Sequence, residues 1–256
     1  MAKANDIYQA LDQLAPFENA LSFDNAGFLA GSRDMEVERV LLSLDITGPV
    51  IQEAAELGAQ LLISHHPVIF SPLRSLPAES PAYQLAGEGL SAICAHTNLD
   101  IADHGVNFCL AEKIGLHDIG RSETCPELFE GKLEFPLRPE EFAGLCGKSL
   151  RVRGLRYING GNQISKVMMC SGAGGEFITQ AAEEGADAFL TGEMKHHELL
   201  QAKAAGITAV VAGHYETERV VLPFLREYLS VKFPGIQFEI SQREENPVCG
   251  LVEYNY

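Results

Sequence analysis

The chain has 256 residues, 46% of them hydrophobic, enough to bury one large or two modest cores. A formal charge of −16 works against non-specific binding to nucleic acid or an anionic membrane, since both need a cationic face, although bound divalent cations would reverse the sign locally. The start, Met1-Ala2-Lys3-Ala4-Asn5-Asp6, lacks the apolar stretch of a signal peptide, and no apolar run is long enough to span a bilayer, so a cytoplasmic protein is expected.

In chain order, residues 39 to 46, 60 to 64 and 91 to 95 are short apolar runs that read as buried strands, with helix-type patterning over 49 to 58 and 81 to 89 between them. That alternation implies a parallel sheet covered on both faces. Residues 121 to 165 differ. Pro126, Pro136, Pro139 and several glycines interrupt the helix signals, Ser149 to Tyr157 reads as extended, and the stretch is taken as linker and start of a second domain. Lys148, Arg151, Arg153 and Arg156 make it the most basic part of the chain, read as a solvated strand face in preference to an anion site. The alternation then returns, with strands at 166 to 170, 187 to 190 and 208 to 211 and helices near 176 to 184, 195 to 205 and 217 to 229.

The two halves share sequence. One offset sets Val40 on Val167, Gly48 on Gly175, Ile51 on Ile178, Ala54-Ala55-Glu56 on Ala181-Ala182-Glu183 and Gly58-Ala59 on Gly185-Ala186. With a gap, the strand ending at His96 falls near the strand ending at His214. The expected fold is therefore α/β, two related α/β units with mostly parallel sheets, divided into 1–125 and 126–256. Similar packing demands in the two units account for part of the likeness without duplication.

Six cysteines, at 94, 109, 125, 146, 170 and 249, form no Cys-x-x-Cys pair, which argues against a zinc ribbon or a thioredoxin-like motif and for reduced, structural thiols.

Three islands carry the chemistry, each where a strand should end: Ser64-His65-His66-Pro67, His96-Thr97-Asn98-Leu99-Asp100 and Gly213-His214-Tyr215-Glu216-Thr217-Glu218. Open α/β sheets bind ligands at strand C-termini. Adjacent histidines can serve two ions, and carboxylates from Asp100 and Glu218 can bridge a cation pair and offset its repulsion. Two ions roughly 3.5 to 4 Å apart form the usual clamp for hydrolysis. His214 and Glu218, four apart, share a face if a helix begins there. His96 is open between ligand, proton carrier and a partner that orients Asp100, the last being favoured. Glu193, His196 and His197 follow a strand aligned with the one before His65, and either line the same site or sit at a polar helix start.

These islands, with Thr191-Gly192-Glu193-Met194-Lys195-His196-His197 and the early Asp24-Asn25-Ala26-Gly27, resemble the NIF-three-like family, also called dinuclear metal centre hexameric proteins or GTP cyclohydrolase I type 2 homologs. The resemblance spans nearly the whole chain, in family order, and matches the short form without the domain that longer members insert between the halves. It implies two α/β domains with a metal site in the cleft between them, and a homohexamer built as a trimer of dimers. It carries the metal roles to His65, His66, Asp100, His214 and Glu218, with two divalent transition-metal ions per chain, whether zinc, iron, manganese, cobalt or nickel. A hydrolase on a small-molecule substrate, GTP by family naming, follows as the leading expectation, with His96 and Glu193 as catalytic candidates for moving protons. No Gly-x-x-x-x-Gly-Lys-Ser/Thr loop is present, so a triphosphate would need Arg151, Arg153 or Lys195. A dinuclear phosphoesterase or amidohydrolase, and a non-enzymatic metal-holding or adaptor protein, remain open.

Overall fold

Apolar runs without polar alternation are satisfied only by burial on both faces, and the chain meets this demand twice. The computed structural model describes residues 2–152 and 154–249. Arg153, one of the cations of the basic stretch, lies outside the described residues. The elements are, in order, α1 (Ala4–Leu14), β1 (Gly27–Ala30), β2 (Arg39–Ser43), α2 (Gly48–Leu57), β3 (Leu61–Ser64), α3 (Pro81–Gly87), β4 (Ser91–Cys94) and α4 (Thr97–Asp100). Then come α5 (Val106–Lys113), β5 (His117–Arg121), β6 (Phe129–Leu137), α6 (Pro139–Leu150), β7 (Arg156–Ile158), β8 (Ile164–Cys170) and α7 (Ile178–Glu183). The last are β9 (Ala188–Thr191), α8 (His196–Ala205), β10 (Thr208–Val211), α9 (His214–Glu218), α10 (Val221–Lys232) and β11 (Gln237–Ile240). No described helix is long and apolar enough to cross a membrane.

The chain divides into two units, Met1–Ala102 with Leu222–Glu245, and Asp103–Val221 with Asn246–Tyr256. The sequence reading put the boundary at 125 and gave everything after it to the second domain. The division falls instead after Ala102, and the C-terminal helix and strand return to the first unit. The physical reason is pairing: β11 joins β2 in parallel register, Phe238 opposite Val40 and Ile240 opposite Leu42. Tyr228 of α10 adds a hydrogen bond from its hydroxyl to Ala10 O of α1 at 2.9 Å.

The first unit holds a five-stranded sheet in the order β1-β4-β3-β2-β11, parallel except for β1. Its β2, β3 and β4 residues are buried almost throughout, and Leu41, Leu62 and Ala92 pack on Val50, Ile51 and Ala54 of α2 and Leu85 of α3. Proline at the first turn and Gly58 at φ 68 bound α2, while Ser80 caps α3 by accepting from Tyr83 N.

The second unit holds a six-stranded sheet, β5-β6-β8-β9-β10-β7, in which β8, β9 and β10 run parallel and the outer strands are antiparallel. Alternate residues point to opposite faces. Val167, Met169 and Leu190 pack with Phe142 and Cys146 of α6, whereas Met168 and Phe189 pack with Ile178, Ala181 and Ala202 of α7 and α8. The stretch read as linker is thus part of this sheet and its cover. Pro139 starts α6 at the first helical position instead of breaking it. Pro136 sits where the β6–β8 register shifts, a place that needs no ladder donor. The segment read as extended from Ser149 begins inside α6, which is capped by Arg151 at φ 58. Lys148, Arg151 and Arg156 are exposed, in keeping with a solvated face. The single helix expected over 217 to 229 is two, α9 and α10.

The internal repeat is visible in the ladders. Val40 to Ser43 pair with Leu61 to Ser64, and at the same offset Val167 to Cys170 pair with Ala188 to Thr191. The hydrogen bond Ala95 N to Ser64 O recurs as Ala212 N to Thr191 O, both at 2.9 Å. The next element, α4 or α9, begins two residues later in each unit.

Candidate metal centre

In the first unit the three adjacent parallel strands β2, β3 and β4 are each followed within two residues by a site residue: Asp45, His65-His66 and His96. Backbone bonds from His65 N to Ser43 O (3.3 Å) and His66 N to Leu44 O (2.8 Å) carry the ladder past the last strand residue and hold the two histidines in place. His65 is buried, and its Nδ1 lies 2.9 Å from Ala95 O. A carbonyl only accepts, so Nδ1 carries the proton and Nε2 presents its lone pair. That Nε2 lies 3.4 Å from Asp100 Oδ1. His66 repeats the arrangement with Nδ1 2.9 Å from Asp45 Oδ1, and His96 with Nδ1 2.9 Å from Asp24 Oδ1. Ring nitrogens of His65, His66 and His96, one from each, all lie within 4.8 Å of one another, close enough to share an ion.

Asp24 secures this corner. Burial alone would raise its pKa, but hydrogen bonds from the His96 ring, from Thr97 Oγ1 at 2.6 Å and from Thr97 N at 3.1 Å outweigh burial and hold the carboxyl well below the usual carboxylate range. Thr97 Oγ1 also accepts from Leu21 N at 2.9 Å, and Asn25 Nδ2 donates to Ile69 O, so the 21–25 loop is tied to the site's own loops.

In the second unit α9 opens on His214 and closes on Glu218, and the two meet at 3.1 Å between Nε2 and Oε1. His214 Nδ1 is 3.0 Å from Glu193 Oε1 at the end of β9. Buried Thr217 accepts from Gly172 N at 3.0 Å and is within 2.9 Å of Gly213 O, which fastens α9 to the loop after β8. That loop passes so close that a Cβ on Gly172, at φ +58, would stand 2.2 Å from Glu218 Oε1.

The geometry gathers His65, His66, His96 and Asp100 in one unit and His214, Glu218 and Glu193 in the other. His96 bonds Asp24 and not Asp100, the partner expected for it. His196 and His197 are exposed at the start of α8 and join no donor cluster among the described residues. Asp45 escaped the sequence reading, although it follows β2 much as His65 follows β3 and the strand-end rule could have found it. No disulfide joins the described cysteines, and burial pushes the Cys109 and Cys146 thiols up to about 12. Cys94 Sγ donates to His65 O at 3.0 Å, a packing role.

Nitrogen and oxygen donors of this kind suit zinc, iron, manganese, cobalt or nickel. Each of the four histidines is held through Nδ1 by an oxygen acceptor, the outer support that metal-binding imidazoles almost always have. The residues present therefore fit a metal.

A family model described as Duf34/NIF3 (NGG1p interacting factor 3) matches residues 2–247. The chain belongs to the Duf34/NIF3 family. Among curated relatives, a Clostridium perfringens (strain 13 / Type A) protein named GTP cyclohydrolase 1 type 2 homolog is 30% identical, over 96% of this chain and 98% of its own. A Campylobacter jejuni protein of the same name is 35% identical over 85% of this chain and 88% of its own. Among solved structures, a Staphylococcus aureus hypothetical protein superposes with a TM-score of 0.89 at 27% identity, covering 97% of this chain and 99% of that one. Reduced HcgD from Methanocaldococcus jannaschii gives 0.80 at 27% identity, covering 93% and 97%.

Proposed function

We propose that this Duf34/NIF3 chain is a dinuclear metal protein and a metal-dependent hydrolase, each chain holding two divalent transition ions through His65, His66, Asp100, His214 and Glu218. The observation that carries the reading is the common support of His65, His66 and His214 through Nδ1, which leaves each Nε2 as the ligating atom. When bound, divalent ions supply Lewis acidity, polarising a substrate oxygen and lowering the pKa of water. The chain's own groups do the rest. His96 is held through Nδ1 by the Asp24 carboxylate, which directs its Nε2 to take up a proton and return it to a leaving group. Glu193 steadies His214 and is assigned an orienting role.

GTP is the leading substrate, supported by the name that the curated relatives carry. The same reading takes the protein as a cytoplasmic homohexamer, a trimer of dimers. The net charge of −16 supports a substrate that is small over a nucleic-acid or membrane partner.

Elemental analysis of purified protein is expected to give up to two transition ions per chain, with Asp100→Ala or Glu218→Ala lowering occupancy. Full occupancy in the His65→Ala, His66→Ala double variant would sink the metal assignment. Metal-loaded protein is then offered GTP, phosphomonoesters, phosphodiesters and amides. Opening of the GTP imidazole ring, lost in His65→Ala with the circular dichroism spectrum kept, supports the cyclohydrolase. Turnover of esters or amides alone replaces it with a phosphoesterase or amidohydrolase, and no turnover of any replaces it with a metal-holding or adaptor protein.

A further inference from the structure

The first unit carries a set of acidic side chains behind His66 whose role the metal reading does not use. The turn after β11 is folded on Glu53 of α2. The Glu53 carboxylate accepts from Ser241 Oγ, from Gln242 N at 2.9 Å and from Arg243 N at 3.2 Å. Ser241 Oγ in turn accepts from Arg243 N at 3.2 Å and Glu244 N at 3.1 Å. Glu53 and Ser241 are both buried, so the turn is fixed from below.

On the β11 side of β2, strand pairing stops at Ile240 opposite Leu42, with Ser241 N donating to Leu42 O at 2.8 Å. Glu244 takes over from there. Its Oε1 accepts from Leu44 N and from Asp45 N, the latter at 3.0 Å. Asp45 then holds His66 Nδ1 through Oδ1 at 2.9 Å. Two N–H groups on one carboxylate oxygen fix the backbone on which Asp45 is mounted, and charge-assisted bonds of this kind are the stronger sort.

We propose that Glu244 is a positioning residue for the metal centre: it fixes Asp45, which in turn fixes the Nδ1-protonated form of His66 with Nε2 directed to the ion. The proposal rests on reading His66 as a ligand, and it has Glu244 act through the 44–45 backbone that carries Asp45.

The test combines zinc titration with 15N NMR of the His66 ring in metal-free protein, across Asp45→Ala, Glu244→Ala, Glu244→Asp, Glu244→Gln and the Asp45→Ala/Glu244→Ala pair. Loss of an outer partner typically weakens metal binding about 10- to 100-fold, so Asp45→Ala, Glu244→Ala and Glu244→Asp should each lose about tenfold or more. Glu244→Gln keeps a carbonyl oxygen at the same reach and should stay within about threefold of wild type. The double variant should lose less than the product of the two single losses, because residues that act in series are not additive. The NMR signal of Nδ1-protonated His66 should fall in Glu244→Asp and persist in Glu244→Gln. If Glu244→Ala does not fold, the Asp and Gln variants carry the comparison. Wild-type zinc affinity and an unchanged His66 signal in Glu244→Asp would overturn the proposal, as would a double variant whose loss is the product of the single losses. Wild-type zinc content in His66→Ala would instead overturn the ligand reading beneath it.

Discussion

Gly172→Ala separates the metal centre's geometry from general stability. The residue sits at φ +58, where an L side chain costs about 1 to 2 kcal/mol. A thermal midpoint moves roughly 2 to 4 °C per kcal/mol in a protein of 150 to 250 residues, so the backbone alone predicts a drop of several degrees. The added Cβ would also lie 2.2 Å from Glu218 Oε1, against the 3.4 Å where ordinary contact begins, and 3.3 Å from His214 Cε1. Glu218 is buried, so its carboxylate must give way by about an ångström inside a packed site. Gly185→Ala is the matched control. It has φ +76 in the same unit and nothing within 4 Å of the new Cβ, so it bears the backbone cost alone. Zinc titration and thermal denaturation of the two variants should show comparable backbone penalties, a further loss of stability in Gly172→Ala, and about tenfold weaker metal binding, near 1.4 kcal/mol, in Gly172→Ala only. Equal metal affinity in the two variants would refute the placement of Glu218 as a ligand held by this loop.

Asp24→Ala should leave His96 Nδ1 and Thr97 N without their acceptor, costing about 1 to 3 kcal/mol by thermal or denaturant unfolding and loosening the His96 tautomer seen by 15N NMR. Glu53→Ala should cost about 2 to 3 kcal/mol at neutral pH, because three donors of the 241–243 turn share that carboxylate. Burial would raise the Glu53 pKa, but the bonds from Ser241, Gln242 and Arg243 outweigh it and set the folded value below the ordinary 4.5. Its stabilisation is therefore complete above 4.5 and disappears as pH falls through the lower folded value, so wild type and Glu53→Ala should converge in acid denaturation. Native mass measurement should give about six chains, and a stable monomer at micromolar concentration would remove the ring from the proposed function.

The strands that build both sheet centres were readable because each is a short apolar run between turn residues, as with Leu61–Ser64 and Ala188–Thr191. The donor islands were readable for a related reason: they follow those runs directly, so finding the strand locates the site. What was lost depended on distant pairing. β11 is a partly exposed strand whose partner, β2, lies far back in the chain, and nothing local to Gln237–Ile240 announces the return to the first unit. Pro139 misled because proline is compatible with a first helical turn as well as with a break. Asp24 and Glu193 stood in islands the sequence singled out, and Asp45 follows a strand, but nothing in the sequence assigns any of the three to a histidine. Only folding reveals that each faces the Nδ1 of a histidine.

The shared ladder offset has a consequence for how such a protein can diversify. Gly192 occupies in the second unit the position that His65 occupies in the first, and Glu193 that of His66. Even a Cβ at Gly192 would meet Gly172 O at 2.6 Å and His214 Cα at 2.8 Å. An imidazole has no room there, so point substitution cannot turn the second unit into a donor copy of the first. The two related units of this chain are thereby committed to unlike chemistry, one strand end rich in imidazole and the other reserved for close backbone approach. An engineer seeking a symmetric four-histidine site would have to rebuild the 171–175 loop before changing any ligand.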